Sequence, residues 1–427
     1  MGRDSIKGKL FPLFLLAASS GIFNILYVIS VFYVPYQKVF GYTNFQMGLL
    51  MSIYSWVGTP GSLIGGPLSD LWNAKKVMVI CCILSALCGF GLATIPPFPV
   101  AVVIYTIMPI PMTWFAWTVF NKCIAVMAID GDSGRLYGLA STFDCILTLA
   151  ITMFPTILFG DRLAERNNFR MIFIIMASVY LLAGILLHFF FDYDYYAERA
   201  GIANTGEKKF KLNLSEYKKV ITSPIPWLCG FLVMGMYITA TGFNYLSPYL
   251  NAVYAIPVGL ASAFAIITRY AVKACVNPLG GWFRDTKLGG NTPKLVWTSS
   301  IMVFIVAIVL VVLPKTSNYG LLATIIAILL VAVFRFNSSS ESTCFRSLNA
   351  LPMSLIGSCM GLGYMIAYST DMWLPTVIGN ILDKNGNDGY KFIFAIIFFG
   401  MALASVCAFI MYRLQKKEAV KNISEAA

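Results

Sequence analysis

Residues 65–76, GGPLSDLWNAKK, return in fainter form 215 residues later as GGWFRDTKLGG, residues 280–290. Both stretches place an aspartate four residues after the second glycine, Asp70 after Gly66 and Asp285 after Gly281. Both also sit where a long apolar run gives way to basic residues. One punctuation mark written twice in a single chain points to an internal duplication. The surroundings say what was duplicated. The chain is 58% hydrophobic and 12% charged, with mean hydropathy +0.76, where soluble domains carry about 25% charged residues. Most of it falls into apolar runs of about 18 or more residues, each long enough to cross a hydrocarbon core of roughly 30 Å as a helix. Lipid offers the backbone no hydrogen-bond partner, so those runs must be helical.

Breaking the runs at Pro, Gly and charge clusters gives twelve spans. The first six lie near 10–34, 44–66, 76–95, 100–128, 136–159 and 170–191; the second six near 225–247, 254–282, 295–314, 319–342, 355–381 and 390–413. The first apolar stretch runs to Val34, too long for a cleaved signal, and reads as a retained span. Asp192 to Pro224 is the longest polar interval. It divides the chain into an N-terminal half (1–191), a cytoplasmic linker (192–224) and a C-terminal half (225–427). Within the linker, LNLSEYKKVI (212–221) reads as a short amphipathic helix on the membrane surface. With both termini cytoplasmic, the 31 Lys and Arg divide as 20 inside, 7 outside and 4 within spans, the asymmetry that orients membrane proteins. The net charge of +12 then reflects orientation and anionic-lipid contact rather than nucleic-acid binding.

Enzyme chemistry finds little support. The ten cysteines lie in or beside apolar runs and the one histidine, His188, has no metal spacing with them, so they read as small hydrophobes. Neither metal nor cofactor is expected. No G-x-x-x-x-G-K-[ST] phosphate loop occurs.

The first stretch is similar to the loop signature of the major facilitator superfamily, G-x-L-x-D-R-x-G-R-K. Gly66, Leu68, Asp70 and Lys75 match, whereas Leu71, Asn73 and Ala74 depart from it. The second copy keeps Gly281 and Asp285, with Phe283 at the leucine position. Together with span count and duplication, the resemblance covers the whole chain. It implies an all-α polytopic membrane protein with twelve transmembrane helices in two pseudosymmetric six-helix halves around a central cavity, operating by alternating access. Physically, glycine permits close helix approach, and an aspartate at a helix end accepts hydrogen bonds from a neighbouring helix N-terminus. Gly66, Asp70, Lys75, Gly281 and Asp285 thus read as a cytoplasmic gate motif. The plainer alternative is a Gly-Asp pair that ends a helix.

Seven ionisable side chains fall within spans: Lys122, Asp144, Arg269, Lys273, Arg335, Glu341 and Asp371. Each costs about 2.5–3.5 kcal/mol at the bilayer centre and marks a pathway or a buried pair. Arg269 precedes Gly281 by twelve residues, roughly 18 Å along a helix, which puts it near the midplane. Lys273 follows at i+4 on the same face, so the two cations need an anion or an acid opposite. The 215-residue shift pairs Arg269 with Tyr54 of span 2. Arg335 lies mid-span and Asp371 slightly beyond the middle of span 11. Asp144, Lys122 and Glu341 occupy the cytoplasmic third, where the repeat sets Lys122 against Glu341.

A guanidinium binds carboxylate or phosphate through a two-pronged fork. Arg269, with Lys273, Arg335 and Tyr54, is therefore the candidate for an anionic substrate; the alternative is a structural network of Arg269, Lys273 and Asp371. Asn24 and Tyr27 of span 1, Tyr237 and Thr241 of span 7, and Trp114 beyond the Pro109–Pro111 kink complete the candidate substrate site. Asp371, Asp144, Glu341 and Lys122 are the candidates for proton coupling or ion pairing.

Span 11 and its exit, GSCMGLGYMIAYSTDMWLPTVIGNILDKNGNDGY (357–390), resemble bacterial organic-anion porters of the oxalate/formate exchanger group. That resemblance implies a small anionic substrate of the carboxylate or sugar-acid class, with protons or a counter-anion as co-substrate. One chain contains a complete pathway, so a monomer is expected, and short loops with the superfamily signature and no organelle-targeting signal point to a bacterial cytoplasmic membrane. The glycine-rich signature of nitrate porters is missing. A competing reading is proton-coupled efflux of drugs or of cationic or neutral metabolites through Trp114, Trp117, Tyr237 and Asp371. A third is a transporter-like receptor that binds without moving solute.

Overall fold

Prolines and small residues, more than hydrophobicity, decide how these spans are shaped and packed. The computed structural model describes residues 6–69, 72–128, 133–200, 221–337, 340–344 and 356–426. Asp70, the side-chain surroundings of Gly66 and all but the last residue of 212–221 lie outside what is described. Among the described residues all regular structure is helical. Ten apolar helical runs are long enough to cross a membrane; the last, Cys359–Lys416, holds two crossings, and the 26-residue helix Asn44–Ser69 adds another. Contacts divide the chain into two compact units, Met1–Lys211 with Val258–Ile266, and Leu212–Pro257 with Ile267–Ala427.

The first unit runs through α1 (Ile6–Ser20), α2 (Asn24–Val31), α3 (Tyr33–Phe40), α4 (Asn44–Ser69) and α5 (Ala74–Ala93). It continues through α6 (Phe98–Ile107), α7 (Trp117–Met127), α8 (Ser133–Phe159), α9 (Arg166–Phe190) and α10 (Tyr193–Arg199). Helix α1 lies on α8 and α9, α5 lies on α9, and α4 lies on the fourth span. Glycine permits the α5–α9 contact: a methyl at Gly184 would press on Cys82, and one at Gly89 on Ala177. Asn73 starts α5, its Oδ1 accepting from the Lys75 and Lys76 backbone N–H groups at 3.1 and 3.4 Å, the usual N-cap arrangement. Its Nδ2 donates to Asp194 at 2.8 Å, tying the second–third span loop to α10. Helix α13 (Val258–Ile266), the first part of span 8, belongs to this unit. It rests on α8 and on the turn after it, where the Gly259 N–H donates to Asp161 Oδ1 at 3.0 Å.

The second unit contains α11 (Pro224–Phe243), α12 (Leu246–Tyr254), α14 (Val272–Lys287), α15 (Thr292–Val312) and α16 (Gly320–Arg335). After the short α17 (Ser340–Thr343) come α18 (Ile356–Tyr368), α19 (Leu374–Asn385) and α20 (Gly389–Ala426). Its pairings repeat those of the first unit, with α11 on α18 and α20, and α15 on α20. At one close crossing the α11 and α20 backbones touch: a methyl on Gly235 would come within 2.5 Å of the Gly400 carbonyl. In lipid such close approach of small residues replaces the hydrophobic effect as the source of helix association.

Five spans are interrupted. Proline accounts for three of the breaks, because it removes a backbone N–H and its ring crowds the carbonyl four residues earlier. Pro35 follows the Val31–Phe32 break, Pro248 follows Asn244 by four residues, and Pro375 follows Asp371 by four. Span 4 carries Pro109 and Pro111 and passes through a π-helical turn at Ile110–Ala116. Span 8 has a second π turn at Ile267–Ala271, between α13 and α14, which no proline explains. Span 1 also tightens into a 3-10 turn at Gly21–Phe23, and span 11 does so at Ser369–Met372.

Candidate functional site

The interruptions matter because the polar residues of the spans sit on them, and π turns inside helices are frequent at functional sites. In the second unit Arg269 lies on the π turn of span 8, Asn244 on the break of span 7, and Asp371 on the 3-10 turn of span 11. The Arg269 Nη1 donates to Asn244 Oδ1 at 3.3 Å. Thr241, one turn earlier, donates its hydroxyl to Asp371 Oδ1 at 3.0 Å. Asp371 is within electrostatic reach of Arg269. Three spans thus meet in one charged, hydrogen-bonded group.

A second group lies along the same unit. Glu341 is within reach of both Arg335 and Lys273. Three tyrosines of the same unit stand together, one of them in reach of both groups. Tyr237 meets Tyr368 edge-on at 4.9 Å, and Tyr368 stacks with Tyr364 at 5.7 Å. Tyr237 feels both Glu341 and Asp371. Arg269 thus has Asp371 within reach, and Lys273 has Glu341, which Arg335 reaches as well.

In the first unit Asn24 is buried and its Nδ2 is fully engaged. It donates to the Gly21 carbonyl at 2.9 Å, to Thr148 Oγ1 at 3.0 Å and to Tyr180 Oη at 3.4 Å. The Gly21 carbonyl also accepts from the Asn24 backbone N–H, so Asn24 closes the 3-10 turn with both its main chain and its side chain. Tyr54, the repeat counterpart of Arg269, shares a 2.7 Å hydrogen bond with Thr113 on the π turn of span 4, and Tyr27 lies close by. Trp114 donates its indole N–H to the Val57 carbonyl at 3.0 Å and lies over Gly61, where no side chain would fit. Trp117 is exposed, edge-on to Phe23. Lys122 and Asp144 are half-buried on α7 and α8.

Of the gate motif, Lys75 is in the first turn of α5 and Gly66 near the end of α4. Asp285 pairs with its neighbour Arg284 at 2.6 Å. The close helix approach falls at Gly280, whose Cα faces the Phe336 backbone. Thr113, Thr148, Tyr180, Tyr364 and Tyr368 were not among the candidates. Only the last pair carried a sequence signal, two tyrosines at i and i+4 just before Asp371.

Residues 13–368 match the sequence profile of the Major Facilitator Superfamily. The chain belongs to this superfamily. It is therefore a secondary transporter of the alternating-access type and not an enzyme, with a small-molecule substrate and a lipid bilayer around it. This superfamily member is similar to the inner membrane protein YihN of Escherichia coli (strain K12), 26% identical over 98% of this chain and 99% of that relative. The inner membrane protein YqcE of the same organism is 22% identical over 93% of each chain. Among solved structures, the nucleoside transporter NupG superposes with a TM-score of 0.70 at 14% identity, covering 95% of this chain and 99% of that one. The D-xylose-proton symporter gives 0.69 at 15%, covering 95% and 97%. At such identities the superpositions speak for the fold alone.

Proposed function

We propose that this transporter moves a small organic anion of the carboxylate or sugar-acid class, as a proton symporter or an anion exchanger. The observation that carries the reading is Arg269 on its π turn, with one guanidinium nitrogen on Asn244 and Asp371 opposite, itself held by Thr241. A carboxylate already hydrogen-bonded by a threonine is a suitable resident counter-ion, because it neutralises Arg269 while the site is empty. Protonation of Asp371, or arrival of a second anion, releases the guanidinium fork to the substrate. Glu341 with Arg335 and Lys273 supplies a second station of the same kind. Tyr237, Tyr364 and Tyr368 offer hydroxyls and ring faces suited to a polyhydroxylated chain.

The surrounding assignments belong to the same proposal. The halves are 1–191 and 225–427 joined by a cytoplasmic linker, both termini are cytoplasmic, and the monomer works in a bacterial cytoplasmic membrane. Gly66, Asp70, Lys75, Gly281 and Asp285 serve the cytoplasmic gate. Efflux of cationic compounds is the competing reading, favoured by the tyrosine rings beside Asp371. Against it stand Arg269 and Lys273, two cations in the same unit that would repel a cationic guest.

Ligand-induced thermal stabilisation separates the two. Purified protein and its Arg269→Ala variant are titrated with carboxylates, sugar acids, phosphates and cationic drugs. A ligand that binds only the native state raises the unfolding midpoint with its concentration. Organic anions are expected to stabilise wild type, with about ten- to hundredfold weaker binding in the variant, the loss of one or two charge-assisted hydrogen bonds. Equal stabilisation of both proteins by cationic or neutral compounds would transfer the function to efflux.

A further inference from the structure

Away from the charged groups, the second unit carries a pocket of about 210 Å³ at the ends of α15 and α20. Its walls are Tyr249, Val311, Phe394 and Phe398, and its mouth is formed by Lys315 and Lys391. An apolar slot with a cationic rim is the pattern of an amphiphile site, and three observations narrow the amphiphile.

The rim carries a surplus of positive charge. Lys391 pairs with Asp388 at 2.6 Å, and Lys315 is within electrostatic reach of the same carboxylate. Two ammonium groups share one acid, which leaves one charge for a guest. Asp388 also sets a limit, because a doubly charged head would be repelled. The slot is apolar and opens beside surface that belongs to lipid: Val312, Phe392 and Phe399 are all more than half exposed. A soluble anion would gain the rim and waste the walls. Finally, Tyr249 lines the slot with a buried hydroxyl beside that of Tyr254, which itself donates to the Leu313 carbonyl at 3.4 Å. An ester carbonyl entering below a headgroup is an acceptor for the Tyr249 hydroxyl proton.

We infer that this pocket is a site for a singly charged anionic phospholipid, its phosphate between Lys315 and Lys391 and the start of one acyl chain along Val311, Phe394 and Phe398. Lysines at a membrane surface hold lipid phosphate while their alkyl stems cover apolar wall. The site shares no residue with the group around Arg269, so it stands or falls separately from the choice of substrate.

The test uses the delipidated full-length protein in detergent, titrated separately with phosphatidylglycerol, phosphatidylethanolamine and inorganic phosphate. Unfolding midpoint and bound-lipid mass are followed together. Phosphatidylglycerol is expected to raise the midpoint and remain as one adduct per chain, while the other two do neither. The double variant Lys315→Gln/Lys391→Gln changes exposed side chains only and is expected to fold with an unchanged lipid-free midpoint. It should bind phosphatidylglycerol at least about tenfold more weakly, the loss of roughly one charge-assisted contact. Val311→Trp, which fills the slot and leaves the rim intact, should abolish the adduct as well. An equal response to phosphatidylethanolamine, a response to phosphate alone, or full retention of phosphatidylglycerol by either variant would overturn the assignment.

Discussion

Arg269 and Lys273 stand four residues apart, the first within electrostatic reach of Asp371 and the second of Glu341. Reading them from a uniform helix stacks two cations on one face and asks for an anion, or an acid from another span, opposite. Asp371 and Glu341 are two such acids, and Glu341 is within reach of Arg335 as well. Thr241 is the least conspicuous member of this arrangement, and its hydroxyl is a hydrogen-bond donor to Asp371. Replacing it with valine keeps the shape and removes the donor. Thr241→Val should lower the unfolding free energy by about 1–3 kcal/mol, the penalty for an undersatisfied buried polar group, seen as a lower thermal midpoint, while Thr241→Ser restores it. An unchanged midpoint in the valine variant would mean that Asp371 draws nothing from this contact.

Asn244 and Asp371 owe their positions to prolines four residues further on, Pro248 and Pro375. That spacing was open to view in the sequence. Its consequence was not, because a proline can kink a helix, tighten it or end it, and the neighbouring spans decide which. Pro375→Ala returns an N–H to the carbonyl of Asp371 and lets span 11 run straight. The variant should be slower in transport, since a regular helix holds Asp371 away from Thr241. Uptake into proteoliposomes checks the expectation, and unchanged or faster transport would refute it. The π turn of span 8 left no mark at all in the residue pattern. Counting at 1.5 Å per residue gives Arg269 a distance from the end of the span, yet cannot show that the winding changes there.

Across the whole chain, span number and fold class were legible because apolar length is a direct consequence of bilayer thickness. The internal repeat was legible from two Gly-Asp loops, and the same span pairings recur in both units. Partnerships such as Tyr54 with Thr113, or Asn24 with Thr148 and Tyr180, were not, since they depend on which helices pack together. Exposed apolar side chains encircle the helices, among them Ile157, Phe189, Val312 and Leu321, a surface expected to meet lipid. Cys275 lies on that surface: it is exposed and shares a helix face with the exposed Leu279 and Trp282 at i+4 and i+7. Maleimides add to the thiolate, which forms in contact with water, so Cys275 against lipid should resist both apolar and charged maleimides in membranes and react once the protein is denatured. Labelling by the charged reagent, lost in Cys275→Ser, would place this face against water instead.

A π turn amounts to one residue more than the helix around it needs. In span 8 that surplus falls within Ile267–Ala271, the segment that holds Arg269. Each residue of an α-helix advances the azimuth by about 100°, so the side chains before and after the turn are out of phase by roughly that angle. The direction in which Arg269 looks thus depends on a count as well as on its contact with Asn244. A chain shorter by one residue there would keep its hydrophobicity, its length class and its superfamily, and would turn this guanidinium by about a quarter of a circle. On the role proposed for Arg269, specificity has a coordinate that substitution cannot reach and that a single codon deletion can.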